Sequence, residues 1–376
     1  MTTTTKNLVV LGAGTAGTMV VNKLRKRLPA TEWAITVVDK DDIHDYQPGY
    51  LFIPFRMNKP SQIRKTKRPY LNDDVNLVFG EVERVDASAS KVHLADGSVL
   101  SYDQLVIASG TTPRPDQTEG MLGDEWHKSV GEFYTYEGSI ALRKQLDAWT
   151  GGRLVVHITE LPIKCPVAPL EFTFLADSYL TERGLRDKTE IVFVTPLDGA
   201  FTKPMASKRL GKLLTQKNIT VETDFMIESV DQEAKVIRSF DEREVAYDQL
   251  VTVPLNMGAD FVAASGLGDE LNYVPVDKHT NRSTAYENIW ALGDASNIPT
   301  SKAGSVAHFS VDVFVENFED AIAGRPLSHS FDGHANCFIE SGGGKALLLD
   351  FNYETEPMGG TFPLPKVGPM SLLKES

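Results

Sequence analysis

The sequence has 376 residues, of which 41% are hydrophobic and 24% charged, as is typical of a globular protein with full hydrophobic cores. A formal net charge of -13 argues against nucleic acid as a partner and against strong electrostatic adhesion to anionic lipid. There is no apolar run long enough to span a bilayer and no signal-peptide pattern at the N-terminus, so we expect a cytoplasmic protein without a transmembrane helix.

The chain contains 2 cysteines, Cys165 and Cys337. Their small number and wide separation in the sequence exclude a disulfide-rich scaffold, a CxxC motif and a cysteine-based zinc site. We therefore expect no bound metal. In a protein without an export signal, a disulfide is more often catalytic than structural. On composition alone, the alternative is a pair of unrelated, buried and inert thiols.

The first predicted strand leads directly into a glycine fingerprint. Gly12, Gly14 and Gly17 have GxGxxG spacing at the start of a helical pattern. Gly12 permits the tight turn, Gly14 the approach of a pyrophosphate, and Gly17 the packing of helix on strand. A second predicted strand ends in Asp39, whose carboxylate can accept hydrogen bonds from an adenosine ribose. These features predict a dinucleotide-binding domain for NAD or FAD.

A basic stretch follows in the same part of the chain, with its positive charges at Lys59, Arg64, Lys65, Lys67 and Arg68. Such a stretch is either a solvated face or a rim that attracts anions. The sequence leaves both interpretations open.

A second strand, turn and helix come in the same order but without the glycines. Residues 154–158 are mostly apolar and β-branched, and helical spacing begins at about Leu170. The turn between them carries Pro162, Lys164 and Cys165 where a nucleotide-binding fold has glycines. Without backbone donors at the turn, a pyrophosphate has no cradle. We therefore predict a second Rossmann-like domain that presents a thiol and does not use NAD(P)H.

Two further segments favour FAD, because they resemble signatures of the flavoproteins with two dinucleotide-binding domains. A strand ending in Ser109-Gly110 resembles their "ATG" strand, with serine in place of threonine. A strand ending in Gly293-Asp294 resembles the motif whose aspartate binds the ribityl chain of FAD. The resemblance directs the N-terminus of the next helix towards the flavin. Lys302 either adds to that positive end or is a surface lysine.

The predicted fold class is α/β, with two Rossmann-like domains and a short C-terminal segment that is part β-hairpin and part irregular. The predicted segments are 1–113 and 257–325 for a discontinuous FAD domain, 114–256 for the second Rossmann-like domain, and 326–376 for the C-terminal segment. Residues 336–353 are predicted to form the hairpin, around a glycine turn, with Cys337 on its first strand. No finishing element is predicted after the hairpin.

Three segments together resemble the sulfide:quinone oxidoreductases. They are KCPVAPLE from Lys164, GDASNIPTSKAG from Gly293, and CFIESGGGKALLLDFNY from Cys337. The resemblance implies that Cys165 and Cys337 form a redox pair on one face of FAD. Some branches of the family carry a third cysteine, in places bound covalently to FAD, where this sequence has residues 129–133. We therefore expect the two-cysteine branch, with non-covalent FAD.

The family also implies the reaction. Sulfide would attack a Cys165–Cys337 disulfide and leave a persulfide on Cys337, FAD would pass the electrons to a quinone, and sulfur would leave as polysulfide or on a small acceptor such as a thiol or sulfite. Glu171 is a candidate proton acceptor or, equally, a cap or first-turn charge of its helix. Phe309, Phe338 and Tyr353 are candidates for an apolar quinone pocket or for ordinary core.

Relatives continue past the segment matching 361–365 with amphipathic helices that seat them on the membrane, whereas this sequence ends at Ser376. The resemblance implies peripheral contact with the cytoplasmic face of a membrane. Two other functions stay open: a type II NADH:quinone dehydrogenase, and a flavin-binding redox sensor without turnover.

Overall fold

The computed structural model describes residues 5–357, 359–362 and 370–376. Of the family-matched segment 361–365, residues 363–365 lie outside the described part of the chain. The chain divides into two compact units. Unit 1 comprises Met1–His44, Lys65–Thr112 and Met257–Ala335, and unit 2 comprises Asp45–Arg64, Pro113–Asn256 and Asn336–Ser376. The four segments expected from the sequence stay a prediction about domains.

The helices are α1 Thr15–Arg25, α2 Pro60–Ile63, α3 Tyr136–Ala148, α4 Ala168–Glu182, α5 Pro204–Gln216, α6 Asp260–Ala264 and α7 Gly304–Ile322. The strands of the first part of the chain are β1 Lys6–Leu11, β2 Trp33–Asp39, β3 His44–Asp45, β4 Arg64–Lys65, β5 Asn76–Phe79, β6 Val82–Asp86, β7 Lys91–Leu94, β8 Val99–Ser101, β9 Gln104–Ile107, β10 Thr112–Pro113 and β11 Val130–Gly131. The remaining strands are β12 Gly152–Ile158, β13 Thr189–Val194, β14 Thr220–Glu222, β15 Ile227–Asp231, β16 Val236–Ser239, β17 Glu244–Ala246, β18 Gln249–Val253, β19 Asn256–Met257, β20 Ile289–Ala291, β21 Ala335–Gly342, β22 Lys345–Phe351, β23 Gly360–Phe362 and β24 Met370–Leu372.

Unit 1 is built on a parallel sheet in the order β20-β9-β1-β2-β5. Helices α1 and α7 pack together and contribute to its core, which includes the fully buried Val20, Leu24, Trp290, Phe314 and Phe318. Because all five strands run the same way, their carboxyl ends meet at one edge. The Gly12 turn, Asp39 and Gly110 therefore lie at that edge.

Unit 2 contains a second parallel sheet, in the order β11-β18-β12-β13-β14. Its core includes the fully buried Val155, Val192, Phe225 and Leu250. Helix α4 packs on β12 and β13 and buries residues on most of its circumference, since its apolar residues are not confined to one stripe. The predicted α/β class with two Rossmann-like sheets is confirmed.

The C-terminal part of unit 2 is more regular than predicted. Strands β21 and β22 form the expected hairpin, and they extend into a sheet in the order β21-β22-β24-β23. The prediction that nothing regular follows the hairpin is therefore wrong. The two added strands have three residues each, too short a run for alternation to be visible in sequence.

Among the helices in the described ranges, none is both long enough and apolar enough to cross a membrane.

Candidate functional site

The turn between β1 and α1 has a backbone path that requires glycine. Gly12 has φ +103°, and a Cβ placed on it would lie 2.5 Å from the carbonyl oxygen of Ala108. A Cβ on Gly17 would lie 1.8 Å from the carbonyl oxygen of Gly12, whereas one on Gly14 would meet no atom within 4 Å. Gly14 is also the N-cap of α1 and forms no side-chain capping bond. An open glycine surface at an uncapped helix N-terminus fits a pyrophosphate.

Asp39 is held at the end of β2 by three positive or donor groups. Its carboxylate accepts hydrogen bonds from the N–H groups of Ala13 at 2.7 Å and Lys40 at 2.8 Å. The ammonium group of Lys67 lies 2.9 Å from Asp39 Oδ1 and 3.1 Å from Asp41 Oδ1. This fixes one of the Asp39 oxygens against the glycine turn.

Lys67 is a residue whose role sequence reasoning missed. Its side chain is 5% exposed, so for this residue neither a solvated face nor an anion-attracting rim is correct. Nothing in the spacing identifies it, because it reaches its acidic partners across 26 or more residues of chain.

The second FAD signature ends in a turn at Gly293, which has φ +64°. The ammonium group of the buried Lys302 donates to the carbonyl oxygens of Asp294 and Ser296, at 2.9 Å each, and lies 3.6 Å from the centre of the Tyr273 ring. Burial lowers the pKa of Lys302 to about 8. The interpretation of Lys302 as a surface lysine is therefore wrong: it ties the Gly293–Ser296 turn together from inside.

Cys165 lies in the turn between β12 and α4, in unit 2. It is half-buried and has φ +50°, an uncommon value for a residue with a side chain. Its carbonyl oxygen accepts hydrogen bonds from the N–H of Ala168 at 2.9 Å and from Oη of Tyr134 at 3.2 Å. The thiol-bearing residue is thus held just before the N-terminus of α4.

Glu171 joins that turn to the strand that carries Cys337. Its buried carboxylate, in the first turn of α4, accepts a hydrogen bond at 3.1 Å from the N–H of Glu340 on β21. Burial raises the pKa of Glu171 to about 8, and the nearby charge of Glu340 acts in the same direction. The N-cap of α4 is Val167, so Glu171 is not the cap; it is an acidic residue of the first turn, which is the other form of that interpretation.

The two cysteines are both thiols in this structure and both belong to unit 2. Cys337 is 8% exposed, and its pKa is raised to about 12 by burial and then by the charge of Glu171. The charges of Cys165 and Glu171 in turn raise the pKa of the buried Tyr134, after burial itself. Tyr134, Cys165, Glu171 and Cys337 therefore form one group, the thiol cluster. Tyr134 carries no sequence signal and was not predicted.

Of the three aromatic candidates for an apolar pocket, Phe338 is 55% exposed on β21, so ordinary core is wrong for this residue. Phe309 stacks on His334 with ring centres 4.3 Å apart. A role in quinone binding stays a prediction. Within the ranges that the structure describes, no three His, Cys, Asp or Glu side chains are grouped as metal ligands.

Comparison with known proteins first identifies the class of proteins that this chain resembles. Residues 6–156 match the family described as pyridine nucleotide-disulphide oxidoreductase. Over most of its length the chain is homologous to sulfide:quinone oxidoreductases. It is 25% identical to the mitochondrial sulfide:quinone oxidoreductase of Dictyostelium discoideum over 354 residues, 93% of this chain and 78% of that protein. The resemblance drawn from the motifs is confirmed, and these relatives are oxidoreductases, as expected.

A solved structure shows the same fold. The sulfide:quinone oxidoreductase of Aquifex aeolicus superposes with a TM-score of 0.82 at 20% identity, covering 99% of this chain and 87% of that chain. A shorter match is to the type II NADH:quinone oxidoreductase of Staphylococcus epidermidis, 33% identical over 118 residues, which is 31% of this chain and 29% of that protein.

Proposed function

We propose that this chain is an FAD-dependent oxidoreductase that transfers electrons from sulfide to a quinone through Cys165 and Cys337. The observation that carries the proposal is the thiol cluster: Tyr134 donates a hydrogen bond to the Cys165 carbonyl oxygen and lies within the electrostatic influence of the buried Glu171, which in turn raises the pKa of Cys337. The homology to sulfide:quinone oxidoreductases over most of the chain supports the same substrates.

FAD would be held non-covalently by residues of unit 1. The turn of Gly12, Gly14 and Gly17 would receive the pyrophosphate, Asp39 the adenosine ribose, and Asp294 the ribityl chain. Gly110 and Lys302 would complete the site. When bound, FAD would accept two electrons from sulfur and pass them to a quinone.

The sulfur chemistry follows from the two thiols in their oxidised form. HS⁻ attacks the Cys337 sulfur of a Cys165–Cys337 disulfide; the bond between the cysteines breaks, and Cys337 becomes a persulfide while Cys165 leaves as a thiolate. The direction has a physical reason. A thiol with a pKa of about 12 is a poor leaving group, so attack that would expel Cys337 is disfavoured.

Glu171 supports this step through its protonation state. With a pKa of about 8, its carboxyl group is mostly neutral at pH 7 and does not repel an approaching HS⁻. Near that pH it can also take up or release a proton, which suits an acid–base group beside Cys337. The sulfur would leave Cys337 as polysulfide or on a small thiol or sulfite.

Electron delivery would occur at an apolar quinone site, and the half-exposed Phe338 is a candidate to line it. Because quinones reside in the lipid bilayer, we propose that the protein works in peripheral contact with the cytoplasmic face of a membrane.

The test is anaerobic titration of the purified yellow protein with sulfide, followed by decyl-quinone. Cys165→Ser and Cys337→Ser should each bind FAD but lose sulfide-dependent flavin bleaching by at least about 100-fold. Ser178→Ala, on α4 outside the thiol cluster, is the matched control and should bleach as the wild type does. Full bleaching in either cysteine variant would sink the proposal.

Two added arms separate the alternatives. Rapid flavin reduction by NADH would instead favour a type II NADH:quinone dehydrogenase, to which part of the chain is 33% identical. A flavin that sulfide reduces but decyl-quinone does not reoxidise would favour a redox sensor without turnover.

A further inference from the structure

The backbone of Cys165 lies in a conformation that its residue type does not favour. Its φ of +50° is in the left-handed region, where the Cβ of an L-residue crowds the following carbonyl oxygen. Asparagine and aspartate tolerate this region through local side-chain hydrogen bonds, whereas a thiol forms only weak ones. Contacts from elsewhere in the fold therefore have to hold this residue in place.

Hydrogen bonds to three other residues hold the peptide groups around Cys165. The carbonyl oxygen of Cys165 accepts from Ala168 N at 2.9 Å and from Tyr134 Oη at 3.2 Å. The N–H of Lys164, one residue earlier, donates to Oδ1 of the fully buried Asn256 at 3.2 Å. Of these contacts, the one from Tyr134 is a side-chain group acting on Cys165 itself, so it can be removed without altering the backbone.

Tyr134 is itself firmly fixed. It is 4% exposed, and its ring lies 5.0 Å from that of Phe133, which stacks on Phe172 of α4 at 4.8 Å. The carboxylate of Glu132 accepts hydrogen bonds from the N–H groups of Tyr134 and Thr135. The ring and the backbone of Tyr134 are thus both restrained, which fixes the position of its hydroxyl oxygen.

The hydroxyl group also keeps its proton. Burial, and then the charges of Cys165 and Glu171, raise the pKa of Tyr134 well above its ordinary value. Tyr134 is therefore a hydrogen-bond donor to the Cys165 carbonyl across the neutral pH range.

We propose that Tyr134 is a positioning residue that holds Cys165 in the geometry needed to form the Cys165–Cys337 bond. The inference rests on the proposed function of the cysteine pair. Without the hydroxyl group, the turn relaxes from its left-handed conformation, and the effective concentration of one thiol for the other falls.

The experiment measures that effective concentration directly, without sulfide, quinone or turnover. The FAD-loaded protein is equilibrated in glutathione buffers without oxygen. The two protein thiols give two electrons and two protons to glutathione disulfide, which becomes two glutathione molecules, and alkylation followed by mass measurement counts the remaining thiols. Tyr134→Phe should lower the equilibrium constant for the protein disulfide by about tenfold, which corresponds to roughly 30 mV for a two-electron couple.

Tyr247→Phe is the matched control. Tyr247 is also in unit 2 and 3% exposed, but its buried hydroxyl has no hydrogen-bond partner among the described residues. Its removal should leave the constant unchanged, and near-ultraviolet circular dichroism and FAD content should show that both variants are folded.

Each outcome is decisive. A shift in Tyr134→Phe alone supports the positioning role. No shift, or an equal shift in both variants, overturns it while leaving the cysteine pair intact. A wild-type protein that forms no Cys165–Cys337 disulfide in any buffer overturns the pair itself, and with it the proposed function.

Discussion

The carboxyl group of Glu171 is buried, and its protonation state therefore affects the free energy of unfolding. Burial raises its pKa from an ordinary 4.5 to about 8. Below pH 4.5 both the folded and the unfolded chain carry the proton. Between 4.5 and 8 the unfolded chain releases it while the folded chain retains it, so rising pH favours unfolding. The stabilisation is thus complete at low pH and lost by about pH 8.

This gives a pH-dependent prediction. Relative to Glu171→Gln, which cannot ionise, the wild type should lose stability as pH rises from about 4.5 to about 8, by a total on the order of 4–5 kcal/mol. Urea unfolding of the FAD-loaded proteins at several pH values measures the difference. Glu182→Gln, an exposed position at the end of the same helix, is the control and should follow the wild type. A difference that is flat, or that grows with pH, would contradict the raised pKa.

At the scale of single residues, sequence indicated which groups carry the chemistry but not how they meet. Cys165, Cys337 and Glu171 were all recognisable by type and context. Their grouping depends on the bond from the Glu340 N–H to Glu171, which joins β21 to α4 across 169 positions. Long-range pairing of this kind leaves no local pattern in the sequence. For the same reason the contact of Tyr134 with Cys165 could not be predicted.

At the scale of elements, the chain uses the same strand, turn and helix twice for different chemistry. The turn after β1 requires glycine, because neighbouring backbone occupies the space a side chain would need. The turn after β12 instead carries Cys165 in a left-handed conformation, held by hydrogen bonds. The order of elements fixes where a turn lies, and the residues in the turn decide what it can bind.

Gly17→Ala tests the first of these turns. Its Cβ would lie 1.8 Å from the carbonyl oxygen of Gly12, so α1 must move away from β1. We expect a loss of about 2–4 kcal/mol in stability and at least about tenfold weaker FAD binding, measured by unfolding and by flavin fluorescence. Gly211→Ala, in α5, is the matched substitution with room, since its Cβ would meet Ala200 only at 4.0 Å. It should instead stabilise the protein by about 0.5–1 kcal/mol. Similar losses in both variants would contradict the steric argument.

At the scale of the whole molecule, the cofactor is expected to contribute to stability. A ligand at about 100 times its dissociation constant stabilises the state that binds it by roughly 2.7 kcal/mol. FAD should therefore raise the thermal midpoint of the apoprotein by a few degrees.

Lys67→Met should reduce that gain. The substitution leaves Asp39 and Asp41 without their buried ammonium group, so Asp39 is less well placed to receive a ribose. The midpoint of the apoprotein should also fall. Lys65→Met changes an exposed lysine of the same basic stretch and should leave both values unchanged. An undiminished FAD effect in Lys67→Met would contradict this role.

The sequence by itself determined the α/β class, the glycine turn of Gly12, Gly14 and Gly17, the absence of such a turn before α4, and the family to which the motifs point. These properties are local, because periodicity, turn residues and short motifs are written in consecutive positions. Only the tertiary structure decided that Lys67 anchors Asp39, that Lys302 lies inside its turn, and that the buried carboxyl group of Glu171 binds the strand that carries Cys337. Those pairings depend on which distant strands and helices pack together, and that is set by the summed burial of the whole core.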